Sequence, residues 1–147
     1  MEDYRGEHKA PNKESGAPLH KLTEKGIYPE DVYSHKAHHY YGHGADEKQD
    51  KEIFSKVHSY KDKPEHLVEI HRAVPRDTHR DTKINKGDWV TIHKQYAREH
   101  GEGPLKGKYR ILSSKVPAKH LFTAGDSIYE WGYHPEEKNN VVKMQHL

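Results

Sequence analysis

The sequence predicts an α+β domain in which a helical N-terminal half precedes a strand-rich C-terminal half, and three observations predict it. Ile53, Phe54, Val57 and Tyr60 fall at i, i+1, i+4 and i+7, the spacing of one apolar helix face. Beyond residue 66, alternating or β-branched runs recur at 67–74, 89–92, 110–116 and 127–133, each bounded by Gly, Pro or Asp. No segment repeats another, so repeat architectures drop out and a layered mixed domain remains.

In chain order, Leu19 and Leu22 are the first apolar pair, ahead of Gly26. Pro29 opens a short helical turn through Tyr33, since its fixed φ suits a first turn. A polar loop is expected over 34–44. Asp46 can cap the helix over 46–60, and Lys63-Pro64 closes it. The strand at 67–74 ends at Pro75; Val68, Ile70, Arg72 and Val74 share one face, and Leu67, Glu69, His71 and Ala73 the other. Gly87-Asp88 leads into the strand at 89–92. A helix over 94–100 follows, stopped by Gly101. After the strand at 110–116 come a turn or short helix over 117–122, a tight turn at 124–126 and the strand at 127–133, with an edge strand expected at 141–145.

Composition bounds the core. Hydrophobic residues make up 31% of 147 and charged residues 33%, with mean hydropathy −1.22, so some segment should stay outside. Residues 1–17, with Gly6, Pro11, Gly16 and no apolar periodicity, are read as a flexible arm, and 18–147 as a single domain. The 25 Lys+Arg are interspersed with 23 Asp+Glu, which does not favour nucleic-acid binding by charge alone. With no cysteine, disulfides, thiolate nucleophiles and Cys-based zinc sites are excluded. No run approaches the ~18 apolar residues of a membrane helix, and residues 1–5 lack the apolar core of a signal peptide. The expectation is a soluble cytoplasmic chain with no membrane partner.

The strand at 127–133 places Glu130 among Tyr129, Trp131 and Tyr133. Alternation sets Ile128, Glu130 and Gly132 on one face and the three aromatics on the other, with Gly132 leaving space beside Glu130. Arg72 is the other charge on an apolar strand face. Two arrangements fit: an Arg72–Glu130 ion pair that neutralises both, or a cleft in which both face a ligand. His35, His38, His39 and His43 form the densest histidine cluster, but the segment reads as loop with no intervening acid, so no metal site is assigned. Asp46, Glu47 and Asp50 are read as favourable charges at a helix N-terminus. Tyr28, Tyr33, Tyr40 and Tyr41 are expected to pin the N-terminal half to the core. Neither G-x-S-x-G nor a Walker sequence is present.

The residues Ile70-His71-Arg72-Ala73-Val74-Pro75, Asn85-Lys86-Gly87-Asp88-Trp89-Val90-Thr91 with Tyr96-Ala97-Arg98-Glu99-His100-Gly101, Ile111-Leu112 with Val116-Pro117-Ala118, and Ile128-Tyr129-Glu130-Trp131-Gly132-Tyr133 resemble the phage and bacterial ADP-ribosyltransferase-like domains. The likeness covers about residues 65–135 and extends less closely to Pro18. It implies the split antiparallel sheet of mono-ADP-ribosyltransferases, with NAD as substrate. In that family an arginine, a hydroxyl-bearing residue and a glutamate follow one another on successive core strands, an order that Arg72, Thr91 and Glu130 match. The resemblance implies that Arg72 holds the NAD pyrophosphate or nicotinamide ribose, Thr91 shapes the nicotinamide pocket, and Glu130 binds the ribose 2′-hydroxyl and stabilises the oxocarbenium-like state; Tyr96 and Trp89 are candidates to stack on nicotinamide, with core packing as the alternative for each.

This chain departs from the pattern at two places. The usual Ser-Thr-Ser is Val90-Thr91-Ile92, and Ile128 stands where arginine-modifying members carry a second acid. A site built on His71 instead of Arg72 requires a one-residue change of register. The resemblance implies a phage-encoded transferase that modifies a host protein or nucleic acid in the bacterial cytoplasm. A non-catalytic binding module on the same fold and an NAD glycohydrolase remain open alternatives.

Overall fold

A computed structural model describes residues 9–136. The chain folds as mixed helix and antiparallel sheet. Its elements are β1 (Ala17–Pro18), α1 (Ala37–Tyr41), α2 (Glu47–His58), β2 (Leu67–Pro75), β3 (Trp89–Val90), α3 (Lys94–Glu102), β4 (Tyr109–Pro117), β5 (Leu121–Thr123) and β6 (Trp131–Tyr133), with three short 3-10 turns between them. The expected edge strand at 141–145 lies outside the described residues.

The main helix forms where the periodicity places it. Asp46 Oδ1 accepts from the Gln49 amide at 3.1 Å and caps α2, whose inner face carries Ile53, Phe54 and Val57. Burying these three contributes about 1.5–3 kcal/mol each. The long hairpin partners also form: β2 and β4 pair without interruption from Leu67↔Pro117 to Pro75↔Tyr109, with a proline at one end of each strand where a missing donor costs the ladder least. The 3-10 turn Glu30–Tyr33 follows Pro29, as expected.

Two sheets meet at one point. The four-stranded sheet runs β1-β5-β6-β3, and the β2–β4 pair joins it through His71 and Thr91, which exchange N–H···O bonds of 2.9 and 3.0 Å. Leu19, Leu22, Ile53, Ile70, Ile92, Leu121, Ile128 and Trp131 are fully buried between the sheets and α2. The other face of β2 is covered by α3.

Three expectations about local structure are corrected. The loop over 34–44 contains α1, a helix of one turn and a half that polar composition concealed; Ala37 is fully buried, the Tyr41 ring packs edge-on to Tyr28 at 5.3 Å, and Tyr41 Oη donates to Asp31 at 2.5 Å. Tertiary contact holds a segment with little helical pattern of its own. Further along, α3 runs through Gly101 to Glu102 and stops at Gly103, because Gly101 is the residue on which the Tyr109 ring rests and a Cβ there would collide with it. The strand expected at 127–133 begins only at Trp131: Ser127 Oγ accepts from the Tyr129 amide at 3.1 Å and Trp131 Nε1 donates to the Ile128 carbonyl at 3.0 Å, so residues 127–130 form a bend held by side chains.

That bend undoes the alternation expected for Glu130. Ile128, Tyr129 and Trp131 are all buried, and Glu130 is exposed just ahead of the strand. Gly132 does not open space for a ligand. A Cβ at Gly132 would lie on the Pro11 carbonyl oxygen, so the backbone of residues 10–11 occupies the place a side chain would need. Residues 9–17 consequently do not hang free: Ala10, Pro11, Gly16 and Ala17 are buried, and β1 pairs with β5.

Since the obstacle at Gly132 is backbone, Gly132→Ala should destabilise by about 1–3 kcal/mol, the range for overpacking. Urea denaturation reads this directly, and an unchanged midpoint would show that residues 10–11 do not pack there.

Candidate functional site

The bend at 127–130 and the start of α3 bring together two tyrosine–carboxylate pairs. Tyr96, on α3, donates its hydroxyl to Glu130 Oε2 at 2.5 Å. Tyr129 donates to Asp50 Oδ1 at 2.6 Å. The two rings stack at 4.9 Å with 23° between their planes, and the His43 ring packs on Tyr129 at 4.5 Å. His43 Nε2 and Ser127 Oγ stand 3.0 Å apart, so the bend is tied to residue 43 as well as to α2.

The two ends of this array differ in burial. Asp50 is 2% exposed, and it lies on the apolar face of α2, three residues before Ile53 and seven before Val57. An ion there needs full compensation. It receives donors from Tyr129 Oη, the His43 amide at 3.2 Å and the Gly44 amide at 2.9 Å. Burial opposes ionisation of Asp50, yet these three donors outweigh it and hold the carboxyl below its ordinary range. Gly42 must also lack a side chain, because a Cβ would meet the Asp50 carboxylate. At the other end Glu130 is exposed, and its carboxylate faces solvent beside Tyr96.

Both phenols are donors and remain so. Burial, then the bond to Glu130, pushes the Tyr96 hydroxyl well above its usual value; burial, then Asp50, does the same for Tyr129. Neither hydroxyl can act as a base near neutral pH. Each can orient a carboxylate or hydrogen-bond a ligand oxygen.

Strand register fixes the neighbours of Thr91 and Arg72. In the β3–β6 pair Trp89 faces Gly132 and Val90 faces Trp131, and the ladder ends there, with Glu130 still in the bend ahead of β6. Thr91 in turn bridges His71. Arg72 is one position along, opposite Val90, and alternation sends it to the other face; its Nη1 donates to the Trp89 carbonyl at 2.9 Å. The structure therefore joins Tyr96 to Glu130, holds Thr91 buried in its bridge to His71, and sends Arg72 to the other face. Arg72 Nη1 is bound to the Trp89 carbonyl and Glu130 to Tyr96, so the two do not pair with each other as one of the expected arrangements required. The Thr91 hydroxyl accepts from the His93 amide at 3.1 Å, which shapes the turn into α3. His71 is 3% exposed, with Nδ1 2.8 Å from Ser113 Oγ.

A cavity of about 720 Å³ lies elsewhere, between the N-terminal segment and the turn before β5, lined by His20, Glu65, Lys119, Phe122 and His134 among others. None of Arg72, Thr91, Tyr96 or Glu130 lines it. One of its lysines is already paired, Lys119 Nζ lying 2.6 Å from Glu65 and 3.3 Å from Glu136. No described helix is long and apolar enough to cross a membrane.

Asp50, Tyr129 and His43 are site residues that sequence reasoning passed over. Asp50 had a readable signal: an acid inside an i, i+3, i+4, i+7 apolar stripe is misplaced unless a partner waits for it. Tyr129 and His43 had none, because only the bend and the 42–46 loop bring them to Asp50.

No family model, curated protein or solved structure matches this chain.

The two tyrosines separate in a stability measurement. Tyr129→Phe leaves a buried carboxylate short of a donor and should cost about 1–3 kcal/mol, whereas Tyr96→Phe loses a bond to an exposed carboxylate and should cost under about 1 kcal/mol. Equal losses in urea denaturation would contradict the burial asymmetry.

The histidines set a pH dependence. Burial holds His71 and His93 below the ordinary imidazole value, with Lys56 adding to the effect at His93. Above about pH 6.5 these rings are neutral folded and unfolded alike; below it the unfolded chain takes up protons first, so stability falls with pH. Asp50 works in the same direction lower down: its contribution is present above the unfolded carboxylate value of about 3.9 and is lost as pH drops through the lower folded value. The thermal midpoint should therefore decline from pH 7.5 to 5 and drop again below about 4; a flat profile over the first interval rules out the histidine contribution.

Proposed function

We propose that this chain cleaves the nicotinamide–ribose bond of NAD and transfers ADP-ribose to an acceptor macromolecule, a host protein or nucleic acid, as a phage-encoded mono-ADP-ribosyltransferase acting in the bacterial cytoplasm. The Tyr96–Glu130 hydrogen bond of 2.5 Å carries the reading, because it holds an exposed carboxylate in one orientation. A carboxylate so held suits a transition state in which positive charge develops on a sugar.

When the C1′–N1 bond of NAD breaks, its electron pair leaves with nicotinamide, which departs neutral, and the ribose takes on oxocarbenium character. Glu130 accepts a hydrogen bond from the ribose 2′-hydroxyl and stabilises that charge. The acceptor then bonds to C1′ and gives up its proton to solvent. Tyr96 keeps its own proton throughout and positions Glu130, while its ring, stacked on Tyr129, offers a flat surface to nicotinamide. The resemblance gives Thr91 the nicotinamide pocket, but Thr91 is buried and its hydroxyl accepts from the His93 amide. The resemblance assigns the pyrophosphate to Arg72, but Arg72 is engaged with the Trp89 carbonyl on the other face, so this reading leans on Glu130 and Tyr96.

The engagement of Arg72 and of the Thr91 hydroxyl with backbone groups favours, as a second reading, a non-catalytic binding module. Nicotinamide release from NAD separates the two. Wild type should release it, and Glu130→Gln should be slower by roughly 10²–10³-fold, the scale of one lost electrostatic contact in a transition state. If neither form turns NAD over even with host lysate present, the enzyme reading falls and the binding module stands. With labelled NAD, label on lysate macromolecules supports transfer, whereas label on free ADP-ribose alone identifies a glycohydrolase.

A further inference from the structure

We propose that His38, His39 and Glu47 form a binding site for a divalent first-row transition ion of borderline softness, zinc foremost. The two histidines lie on α1 and the glutamate opens α2, so the ion would span the 42–46 connection. One ligand atom from each residue lies within 4.8 Å of the others. The set is two imidazoles and a carboxylate, a donor combination that suits zinc and disfavours magnesium or calcium.

His38 supplies the independent sign of a missing ligand. Its side chain is only 10% exposed, and Nε2 is buried with no hydrogen-bond partner among the described residues. That nitrogen points at Glu47 Oε2 from 3.7 Å, too far for a hydrogen bond. Ligand atoms bind zinc at about 2.0–2.2 Å, so two of them on one ion sit roughly 3–3.6 Å apart. A small closure of the pair brings them to that separation. The His39 ring lies 4.2 Å from that of His38, and both ring planes are inclined by only 36°.

The surroundings leave room for the remaining ligands. His39 and Glu47 are exposed, so water can complete the coordination shell from their side, while His38 reaches in from the edge of a groove of about 270 Å³ that it lines with Ser34, His35, Lys51 and Phe54. Lys51 Nζ is 3.9 Å from Glu47 Oε2 and is the one competing cation there among the described residues; its side chain is 60% exposed and can turn to solvent. Glu47 was read from sequence as a helix-dipole charge, and the histidines as loop polarity. Only the formation of α1 and the turn-back of α2 face them to one another.

A bound ion would clamp α1 to the first turn of α2 and fix the loop whose His43 and Gly44 amides hold Asp50. Binding should therefore stabilise the fold.

The test uses full-length protein without a polyhistidine tag, freed of metal with EDTA and titrated with Zn²⁺ by calorimetry, with Co²⁺ absorption as an optical report of coordination. We expect one tight ion per chain and a thermal midpoint that rises with free zinc. His38→Ala, His39→Ala and Glu47→Gln should each weaken that site by more than the roughly 10–100-fold typical of an outer-shell change. His100→Ala, an exposed histidine on α3, should bind as wild type does. Glu47→Gln replaces an exposed side chain with one of the same shape, so its result does not depend on whether the histidine variants fold. Binding unchanged in Glu47→Gln and His38→Ala, or equally weakened in His100→Ala, overturns the proposal.

Discussion

The architecture depends on keeping one carboxylate ionised inside the core. Asp50 sits on the face of α2 that also buries Ile53, Phe54 and Val57, and an uncompensated ion there would cost several kcal/mol, comparable to what those side chains contribute. Three donors resolve the conflict, and they come from opposite halves of the chain: His43 and Gly44 from the loop ahead of α2, Tyr129 from the bend ahead of β6. Hydrogen bonds to a charged group contribute about 1.5–3 kcal/mol each, so the set offsets the burial only when complete. The helical half and the sheet half must therefore close on Asp50 together.

That requirement explains the shape of the bend. To present its hydroxyl to Asp50, Tyr129 has to turn inward next to Ile128, which strand alternation forbids, and the chain leaves extended geometry over 127–130. Glu130 is the residue left outside. Its exposure follows from the inward turn of its neighbour, and Tyr96, stacked on Tyr129, is placed within reach of it by the same ring. The buried pair and the solvent-facing pair are one construction: the first anchors the rings, and the second carries a carboxylate in a fixed orientation at the surface.

The His71–Thr91 bridge adds a second constraint. It joins the β2–β4 hairpin to the larger sheet and sets the register that puts His71, not Arg72, in the row of Thr91. A shift by one residue would exchange His71 for Arg72 in that row and send Ile70 and Val68 out of the core, so burial of those side chains locks the arrangement. Arg72 is left to brace the Trp89 carbonyl across the same junction.

Much of the fold was legible in local pattern. The 3.6-residue spacing of Ile53, Phe54 and Val57 located α2, Asp46 marked its start, and alternation in 67–74 assigned the inner face of β2 correctly, because each of these signals is carried by residues that are neighbours in the chain. Of the residues named from sequence as a site, Tyr96 and Glu130 are in hydrogen-bond contact. What sequence could not supply was any feature that depends on residues far apart. Gly132 reads as open space until Pro11 fills it, α1 reads as loop until Tyr28 and Asp31 hold it, and Glu130 reads as a strand residue until Tyr129 is drawn to Asp50. The sequence alone determined which elements exist and which faces are apolar; only the tertiary structure decided which charge faces which, because a charge takes its partner from whatever the packing of distant apolar faces brings within a few ångströms.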